Sequence, residues 1–305
     1  MINSIEVKNL VKKYGKLVAI NDISFSVRKG EVFGLLGENG AGKTTTLEII
    51  EGLRKPTSGK VLVLGKDFRK NINEIKESIG VQLQSSAYYD FLSLKDILNL
   101  FGSFYSKRID PDKLLDMVDL REKEKSYVSQ LSGGQKQRFS IIASLVNDPE
   151  LVFLDEPTTG LDPLARRNLW DVITKIRKQG KTIILTTHYM EEAERLCDRV
   201  AIMDQGKILV MGEVHSLIEK VNNPYHATFL AEKLKQSVID EIKKCCGQLV
   251  NPNGKKNYYE LYVKDKIVFN KVIDIIQREK IEDFTIGRAS LEDLFLELTG
   301  KIIEE

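Results

Sequence analysis

The segment that most constrains the fold of this chain is the octapeptide Gly37–Thr44, which fits the pattern G-x-x-x-x-G-K-[ST]. An apolar run typical of a strand, Val32–Leu36, precedes it, and a helical pattern begins at Thr44. In such a strand–loop–helix unit, backbone N–H groups and the positive end of the helix face a phosphate group. The sequence therefore predicts an α/β domain that binds a nucleotide.

Each residue type in this loop has a chemical reason to be there. Gly37, Gly40 and Gly42 let the backbone curve around phosphate oxygens, where a β-carbon would obstruct it. Lys43 is placed to neutralise the β- and γ-phosphates, and the hydroxyl of Thr44 is placed to ligate Mg²⁺. We therefore expect a nucleotide and Mg²⁺ to bind together at this loop.

Strand-like and helical patterns alternate through the first part of the chain, which predicts parallel strands at the centre of the domain. The closely spaced strands before Gly37 predict an added antiparallel layer, and the mostly helical stretch from about 85 to 130 predicts a helical subdomain. The predicted strands are Ile5–Val7, Ile23–Val27, Val32–Leu36, Val61–Leu64, Val152–Leu154, Ile183–Thr186 and Val200–Met203. The predicted helices are Thr44–Ile50, Leu94–Phe104, Gly134–Val146, Leu164–Arg177 and Met190–Leu196.

A second domain is predicted beyond the polar, proline-containing connection Val221–Pro224. Its predicted elements are a strand near Ala227–Leu230, a helix near Val238–Lys244, strands near Gln248–Val250 and Tyr258–Val263, a helix near Val268–Gln277, a strand near Phe284–Gly287 and a helix over Leu291–Leu298. That order is compatible with a small α+β domain of ferredoxin-like type. We therefore divide the chain into a domain at 1–220 and an accessory domain at 225–305.

Composition limits the classes of partner and compartment. A formal net charge of +2 over 305 residues is too small to indicate nucleic acid as the main partner. No run approaches the roughly 18 consecutive apolar residues of a membrane-spanning helix, and the N-terminus lacks the pattern of a secretory signal. Three cysteines, Cys197, Cys245 and Cys246, cannot make a disulfide framework. We expect a soluble protein of the cytosol.

Polar side chains follow two of the predicted strands directly. Asp155 and Glu156 end the apolar run Leu151–Leu154, and His188 follows Ile183–Thr186. Open α/β sheets bind ligands at the carboxyl ends of their strands. Asp155 is placed to hold the Mg²⁺ shell, Glu156 to polarise an attacking water and His188 to contact a γ-phosphate. Phosphoryl transfer depends mainly on such positioning and charge neutralisation.

The pentapeptide Leu131–Gln135 reads Leu-Ser-Gly-Gly-Gln and precedes an apolar-periodic helix. Ser132 is a plausible N-cap, and the two glycines leave the N–H groups of the helix start uncovered. Two interpretations stay open on the residues alone. The segment is either an ordinary capped helix or a second phosphate surface that receives the γ-phosphate of a nucleotide presented by another subunit.

The set as a whole resembles the ATP-binding cassette (ABC) ATPase family over about residues 2–220. Several independent motifs stand in the order of that family. They are Walker A at Gly37–Thr45, the signature at Leu131–Gln135, Walker B at Leu151–Glu156, the D-loop at Gly160–Asp162 and the switch histidine at His188. Tyr14 lies where the family has its adenine-stacking aromatic, although an aromatic there could also simply pack. Gln84, after Ile79 and Gly80, matches the glutamine of the Q-loop.

The resemblance implies the ligands and the roles of individual residues. It implies ATP with Mg²⁺, the metal being held by Thr44, Gln84 and Asp155, and catalysis by Glu156 with His188 and Gln84. It places the nucleotide contacts at Tyr14, Gly37, Asn39, Gly40, Gly42, Lys43, Thr44, Thr45, Ser132, Gly133, Gly134, Gln135 and Asp162. The expected fold is a P-loop NTPase cassette with an antiparallel β layer and a helical subdomain, followed by the small α+β domain.

The resemblance also implies the partners. In the family, two cassettes enclose two ATP molecules and drive a membrane permease, so we expect a homodimer or a pair with a similar cassette, bound to a separate permease at the cytoplasmic face of the membrane. Tyr88, Tyr89 and Phe91 would fit a docking surface if exposed together, against the alternative of a solvated loop. The segment Ala289–Gly300 resembles the ends of bacterial drug- or lipid-type exporter ATPases. The alternative function is an ABC ATPase that acts on ribosomes or DNA.

Overall fold

The computed structural model describes residues 2–82, 88–230, 236–246, 249–250, 258–281 and 283–300. The described chain divides into two compact units, the first ending at Glu213 and the second beginning at Val214. This division lies before the polar segment Val221–Pro224, where the sequence suggests a boundary. Each unit has its own apolar core.

The described strands of the first unit form two sheets. In chain order they are β1 (Asn3–Tyr14), β2 (Leu17–Arg28), β3 (Val32–Leu36), β4 (Ser58–Val63), β5 (Lys66–Asp67), β6 (Ile79–Gln82), β7 (Leu151–Asp155), β8 (Thr182–Thr187), β9 (Arg199–Asp204) and β10 (Lys207–Glu213). The larger sheet has the order β10-β9-β3-β8-β7-β6, and the smaller one has the order β2-β1-β4-β5. The smaller sheet is antiparallel throughout.

The larger sheet is parallel except at its β9–β10 edge. Every residue of β3, β7 and β8 is buried, as expected for strands covered on both faces. In β8 the buried run includes Thr182, Thr186 and Thr187, whose hydroxyls therefore require partners within the protein. Because β3, β8 and β7 are parallel neighbours, their carboxyl ends meet at one edge of the sheet.

The described helices of the first unit connect these strands or extend from them. In chain order they are α1 (Lys43–Ile50), α2 (Ile72–Ser78), α3 (Leu94–Gly102), α4 (Pro111–Met117), α5 (Gly133–Ala143), α6 (Pro163–Lys178) and α7 (Met190–Leu196). Several begin with a side-chain cap that the sequence supplies. Ser93 and Ser132 cap α3 and α5 within capping boxes, and Asp110 and Asp162 cap helices that start with proline.

The second unit carries a sheet with helices packed on one face. After α8 (Val214–Ile218), its described elements are β11 (Tyr225–Leu230), α9 (Gln236–Cys246), β12 (Leu249–Val250), β13 (Tyr258–Val263), α10 (Lys266–Arg278), β14 (Phe284–Arg288) and α11 (Leu291–Thr299). The sheet order is β12-β13-β11-β14, with every neighbouring pair antiparallel. This order with a β-α-β-β-α-β succession is the ferredoxin-like arrangement that the sequence suggests.

The predicted elements are found in the structure, and the differences lie in short or half-exposed pieces. The strands β5, β6 and β10 and the helices α2 and α8 are additional to the predicted ones, and α4 lies in the stretch from about 85 to 130 that is predicted to be helical. Strand β10 alternates between exposed and half-buried residues because it lies at the edge of the sheet, so it lacks the apolar run that marks its neighbours. Gln248 and the predicted turn at 251–254 lie outside the described residues.

Candidate nucleotide and magnesium site

The loop between β3 and α1 requires glycine at defined positions. Gly37 has φ 148°, and a β-carbon there would lie 2.3 Å from the carbonyl oxygen of Met203. Gly42, the residue before α1, has φ 103°, and a β-carbon there would lie 2.7 Å from the carbonyl oxygen of Ala19. Both contacts would be with backbone carbonyl oxygens, which could move aside only at a high energetic cost. The loop therefore packs tightly against the neighbouring strands, and the N-terminus of α1 follows directly from the loop.

Lys43, the first residue of α1, is only 4% exposed and its ammonium is fully engaged. Nζ donates to the carbonyl oxygen of Gly37 at 2.7 Å and to that of Glu38 at 3.1 Å. It also lies 3.4 Å from Oε1 of Glu156. Burial lowers the pKa of Lys43, and the nearby Glu156 opposes that shift. A cation held under the loop in this way is suited to meet phosphate oxygens bound by the loop.

The hydroxyls of Thr44 and Thr186 both donate to Oδ1 of Asp155, the first of them at 3.3 Å. Burial raises the pKa of Asp155, and these two hydrogen bonds oppose the rise. A hydroxyl and a carboxylate held together provide the oxygen ligands that Mg²⁺ prefers. The side chains present therefore fit a magnesium ion at the end of β7.

Glu156 follows β7 in a left-handed backbone conformation, with φ 47°. Its N–H donates to Oγ1 of Thr186 at 2.9 Å and to the carbonyl oxygen of the same residue at 3.2 Å. Its Oε2 accepts a hydrogen bond from Thr159 at 3.2 Å and lies 3.6 Å from Nδ1 of His188. The carboxylate is thus buried among a lysine, a threonine and a histidine.

Strand register explains why these groups meet. Asp155 on β7 pairs with Thr186 on β8, and Leu36 on β3 pairs with Thr187. The residues that follow the three strand ends therefore lie side by side. The structure brings together Lys43, Thr44, Asp155, Glu156 and His188, as the sequence suggests.

Tyr14 lies at the end of β1 and is 39% exposed. Nζ of Lys12 lies 4.7 Å from the centre of the ring, and the guanidinium carbon of Arg54 lies 5.9 Å from it. The ring is thus held among cations at the protein surface, which suits a planar stacking partner better than a place in the core.

The segment Ser132–Gln135 forms the N-terminus of α5. Oγ of Ser132 accepts the N–H of Gln135 at 3.4 Å, and Oε1 of Gln135 accepts the N–H of Ser132 at 3.0 Å and Nζ of Lys123 at 3.3 Å. A β-carbon on Gly133 would meet no atom within 4 Å, whereas one on Gly134 would lie 3.0 Å from Cβ of Ala165. The early N–H groups of a helix have no partner within the helix, so those of the two glycines are available to an anion.

The other predicted site residues vary in how fully the structure describes them. Asn39 and Gly40 are exposed on the loop, Thr45 is half-buried on α1, and Asp162 accepts the N–H groups of Leu164 and Ala165 as the cap of α6. Gln84 lies outside the described residues.

Two residues that contact Asp155 or Glu156, namely Thr186 and Thr159, are not among the predicted site residues. Both are polar residues close to a predicted motif. Thr186 is two positions before His188 and ends the predicted strand Ile183–Thr186, and that position at a strand end is the signal that could have identified it.

A phosphate loop, a buried lysine and a strand ending in two acids define a P-loop nucleotide-binding domain. The model of the family described as ABC transporter matches residues 20–159 of the chain. With the relatives below, which match over nearly all of their length, this shows that the chain belongs to the ABC transporter family, as an ATP-hydrolysing cassette subunit.

Relatives and solved structures agree with this assignment. The chain is 40% identical to the Nod factor export ATP-binding protein I of Burkholderia orbicola, over 99% of this chain and 98% of that protein. It is 33% identical to the linearmycin resistance ATP-binding protein LnrL of Bacillus subtilis, over 99% of this chain and 100% of that protein. A dimeric post-hydrolysis structure of an ATP-binding cassette with ADP and Pi is 25% identical, covers 68% of this chain and 98% of that one, and has a TM-score of 0.60.

One further acid lies beneath the site. Glu51 follows α1, is 3% exposed, and has an Oε1 atom without a hydrogen-bond partner. Burial, with smaller contributions from the charges of Asp155 and Glu48, raises the pKa of Glu51 from 4.5 to about 8. A carboxyl group whose pKa is raised by folding contributes stability that is complete below its unfolded pKa, near 4.5, and is lost as the pH rises through about 8.

We therefore expect Glu51→Gln to remove part of the pH dependence of stability. Each unit of pKa shift corresponds to about 1.4 kcal/mol, so ionising Glu51 costs several kcal/mol of unfolding free energy. The thermal unfolding midpoint of the unchanged chain should fall more steeply between about pH 5 and pH 9 than that of Glu51→Gln. Glu74→Gln, at an exposed glutamate on α2, is the control. Parallel pH profiles for the unchanged chain and Glu51→Gln would contradict the assignment.

Proposed function

We propose that this chain is the ATP-hydrolysing subunit that powers a separate membrane permease, and that the transport is export. The observation that carries the ATPase is the meeting of Lys43, Thr44, Asp155, Glu156 and His188 at one edge of the sheet. The two relatives described above are an export protein and a resistance protein, which supports export over the alternative of a ribosome- or DNA-acting ATPase. Among the described residues no helix is long and apolar enough to cross a membrane.

The residues divide the work of hydrolysis among themselves. Thr44, Asp155 and Gln84 would hold Mg²⁺, which would supply charge neutralisation to the bound phosphates. Lys43 and the N-terminus of α1 bind the same phosphates. Glu156 accepts a proton from the attacking water. His188 contacts the γ-phosphate and keeps the carboxylate of Glu156 in position. Thr45, Asn39 and the loop glycines complete the phosphate site, and Tyr14 stacks on the adenine.

The signature segment completes the site of a second subunit. The N–H groups of Gly133 and Gly134 face the γ-phosphate held by a partner cassette, with Ser132 and Gln135 fixing the end of α5. Asp162, which caps α6, joins the same interface. The support is local, because Gly134 packs on Ala165 in the first turn of α6, so α5 and α6 present their N-termini together. We propose a homodimer or a pair with a similar cassette.

The chain docks on its permease through an apolar surface before α3. Tyr89 is 64% exposed and Phe91 is 92% exposed, which is unusual for large apolar side chains on a monomer. Tyr88 differs from expectation, because its ring is half-buried and lies 6.2 Å from Phe101 and 5.3 Å from Phe139. It supports the surface from beneath instead of forming part of it. Docking there holds residues 1–220 at the cytoplasmic face of the membrane, and residues 225–305 form the accessory domain.

We expect Phe91→Asp to prevent the chain from co-purifying with its permease while ATP binding is kept. A charge at the centre of a docking surface is costly because it must be buried without a partner. The measurement is the yield of a multi-span membrane protein that co-purifies with the tagged chain in detergent.

The matched control is Ile267→Asp, which alters a side chain 67% exposed on α10. It should leave the membrane protein bound. Recovery of ribosomes or DNA in place of a membrane protein would contradict the proposed function. Undiminished co-purification with Phe91→Asp would contradict the proposed surface.

A further inference from the structure

A single buried hydroxyl contacts both acids at the end of β7. Oγ1 of Thr186 donates its proton to Oδ1 of Asp155 and accepts the N–H of Glu156 at 2.9 Å. A threonine hydroxyl has one donor and two acceptor sites, so it makes both bonds at once. Thr186 is completely buried, so solvent does not compete for these bonds.

The hydrogen bond from the backbone N–H of Glu156 to Thr186 helps to determine where the Glu156 side chain points. With φ 47°, Glu156 adopts a conformation that residues other than glycine seldom take, and neighbouring groups must hold it there. Its N–H is held by both the hydroxyl and the carbonyl oxygen of Thr186. In this conformation the carboxylate points between Lys43 and His188.

The bond to Asp155 fixes the other acid. Oδ1 of Asp155 receives Thr186 on one side and Thr44 on the other, the second at 3.3 Å. The parallel pairing of β7 and β8 would bring the two strands together without any hydroxyl. What the hydroxyl adds is the orientation of the Asp155 carboxylate, because hydrogen bonds to charged groups are strong and directional, together with a second acceptor for the backbone N–H of Glu156.

We propose that Thr186 is a positioning residue for hydrolysis, whose hydroxyl sets the carboxylate of Asp155 and the backbone of Glu156 in one arrangement. This inference rests on the roles proposed above for those two acids. Thr186 does not touch the phosphates in this scheme. It acts on the metal through Asp155 and on the attacking water through Glu156.

The chain contains a matched control on the same strand. Thr182 opens β8 and is as buried as Thr186, with 1% exposure. Its hydroxyl also makes two bonds, with Oγ of Ser4 at 3.1 Å and with the N–H of Gly30 at 2.9 Å. Thr182→Val therefore removes a comparable hydroxyl at the far end of the strand from the site.

The test compares Thr186→Val, Thr186→Ser and Thr182→Val in the full chain. We expect Thr186→Val to lower kcat by about tenfold and to raise the half-saturating Mg²⁺ concentration several-fold. Its affinity for ATP in EDTA should match that of the unchanged chain, because the phosphate loop is untouched. Thr186→Ser should restore kcat to within about threefold, since it restores the hydroxyl. Thr182→Val should lower the unfolding midpoint and leave both Mg²⁺ dependence and kcat unchanged.

Three results would overturn the inference. They are an unchanged kcat and Mg²⁺ dependence in folded Thr186→Val, an equal loss in Thr182→Val, or a failure of Thr186→Ser to recover. If the unchanged chain does not hydrolyse ATP, the proposed function fails separately. The Mg²⁺ dependence of ATP binding then decides the role of Thr186, because identical curves for the unchanged chain and Thr186→Val would reject it.

Discussion

Glu156→Gln is expected to abolish steady-state ATP hydrolysis, whereas ATP binding is retained. Glutamine has nearly the shape of glutamate but cannot accept a proton from water, and loss of a general base lowers rates by about 10²- to 10⁴-fold. The amide also removes a negative charge beside the phosphate site, so ATP should bind at least as tightly. Because turnover is blocked after binding, the ATP-bound dimer should accumulate. Phosphate release and size-exclusion chromatography with MgATP measure the two effects.

Glu31→Gln provides the matched control for this change. Glu31 and Glu156 are both 7% exposed, and Glu31 pairs with the buried cation Arg199 at 3.0 Å. Removing its charge leaves Arg199 without a counter-ion and lowers stability, but touches no group at the nucleotide site. Hydrolysis by Glu156→Gln within a few-fold of the unchanged rate would show that another group is the base.

The second large effect concerns sites shared between subunits. Lys43→Ala and Gly133→Asp should each be inactive alone, the first through loss of the phosphate-binding cation and the second through repulsion of a partner's γ-phosphate. A β-carbon at Gly133 would meet no atom within 4 Å, and an acid in the first turn of a helix is favourable for folding. We therefore expect Gly133→Asp to fold, which its thermal unfolding midpoint checks.

Mixing the two variants should restore hydrolysis. A mixed dimer has one site with both defects and one site with neither, so an equal mixture recovers about one quarter of the normal sites if subunits pair at random. Phosphate release is measured across mixing ratios and should peak near the equal mixture. The control replaces Lys43→Ala by a Lys43→Ala, Gly133→Asp double variant, which leaves no intact site in any dimer. No recovery at any ratio would argue against shared sites.

The sequence predicts the fold well where burial produces a clear pattern. Strand β3 and helix α7 have the predicted limits, because an apolar run marks the strand and a helical period marks the helix. Strands β5 and β6 are only two and four residues long, too short for their periodicity to be distinguished from that of a loop. Strand β10 was hidden because an edge strand needs only one half-buried face.

Site residues are predicted where a sequence motif marks them and are missed where only tertiary contacts do. Lys43, Asp155, Glu156 and His188 are identified by their motifs, and the parallel sheet brings them together. Thr186 and Glu51 have no motif of their own. Their significance lies in contacts across the sheet and in burial, which depend on strand register and packing that a single sequence does not specify. Tyr88 has the exposed aromatic neighbours Tyr89 and Phe91, but its own ring packs inward, which the sequence does not indicate.

The ion pair between Lys43 and Glu156 joins the phosphate-binding cation to the proposed general base. The ammonium carries three protons, and the carbonyl oxygens of Gly37 and Glu38 together with the carboxylate of Glu156 take all of them. A phosphate oxygen that binds Lys43 must replace at least one of these three partners. Glu156, at 3.4 Å, is the most distant of the three partners, so we expect the phosphate to take its place and to leave the carboxylate facing the attacking water.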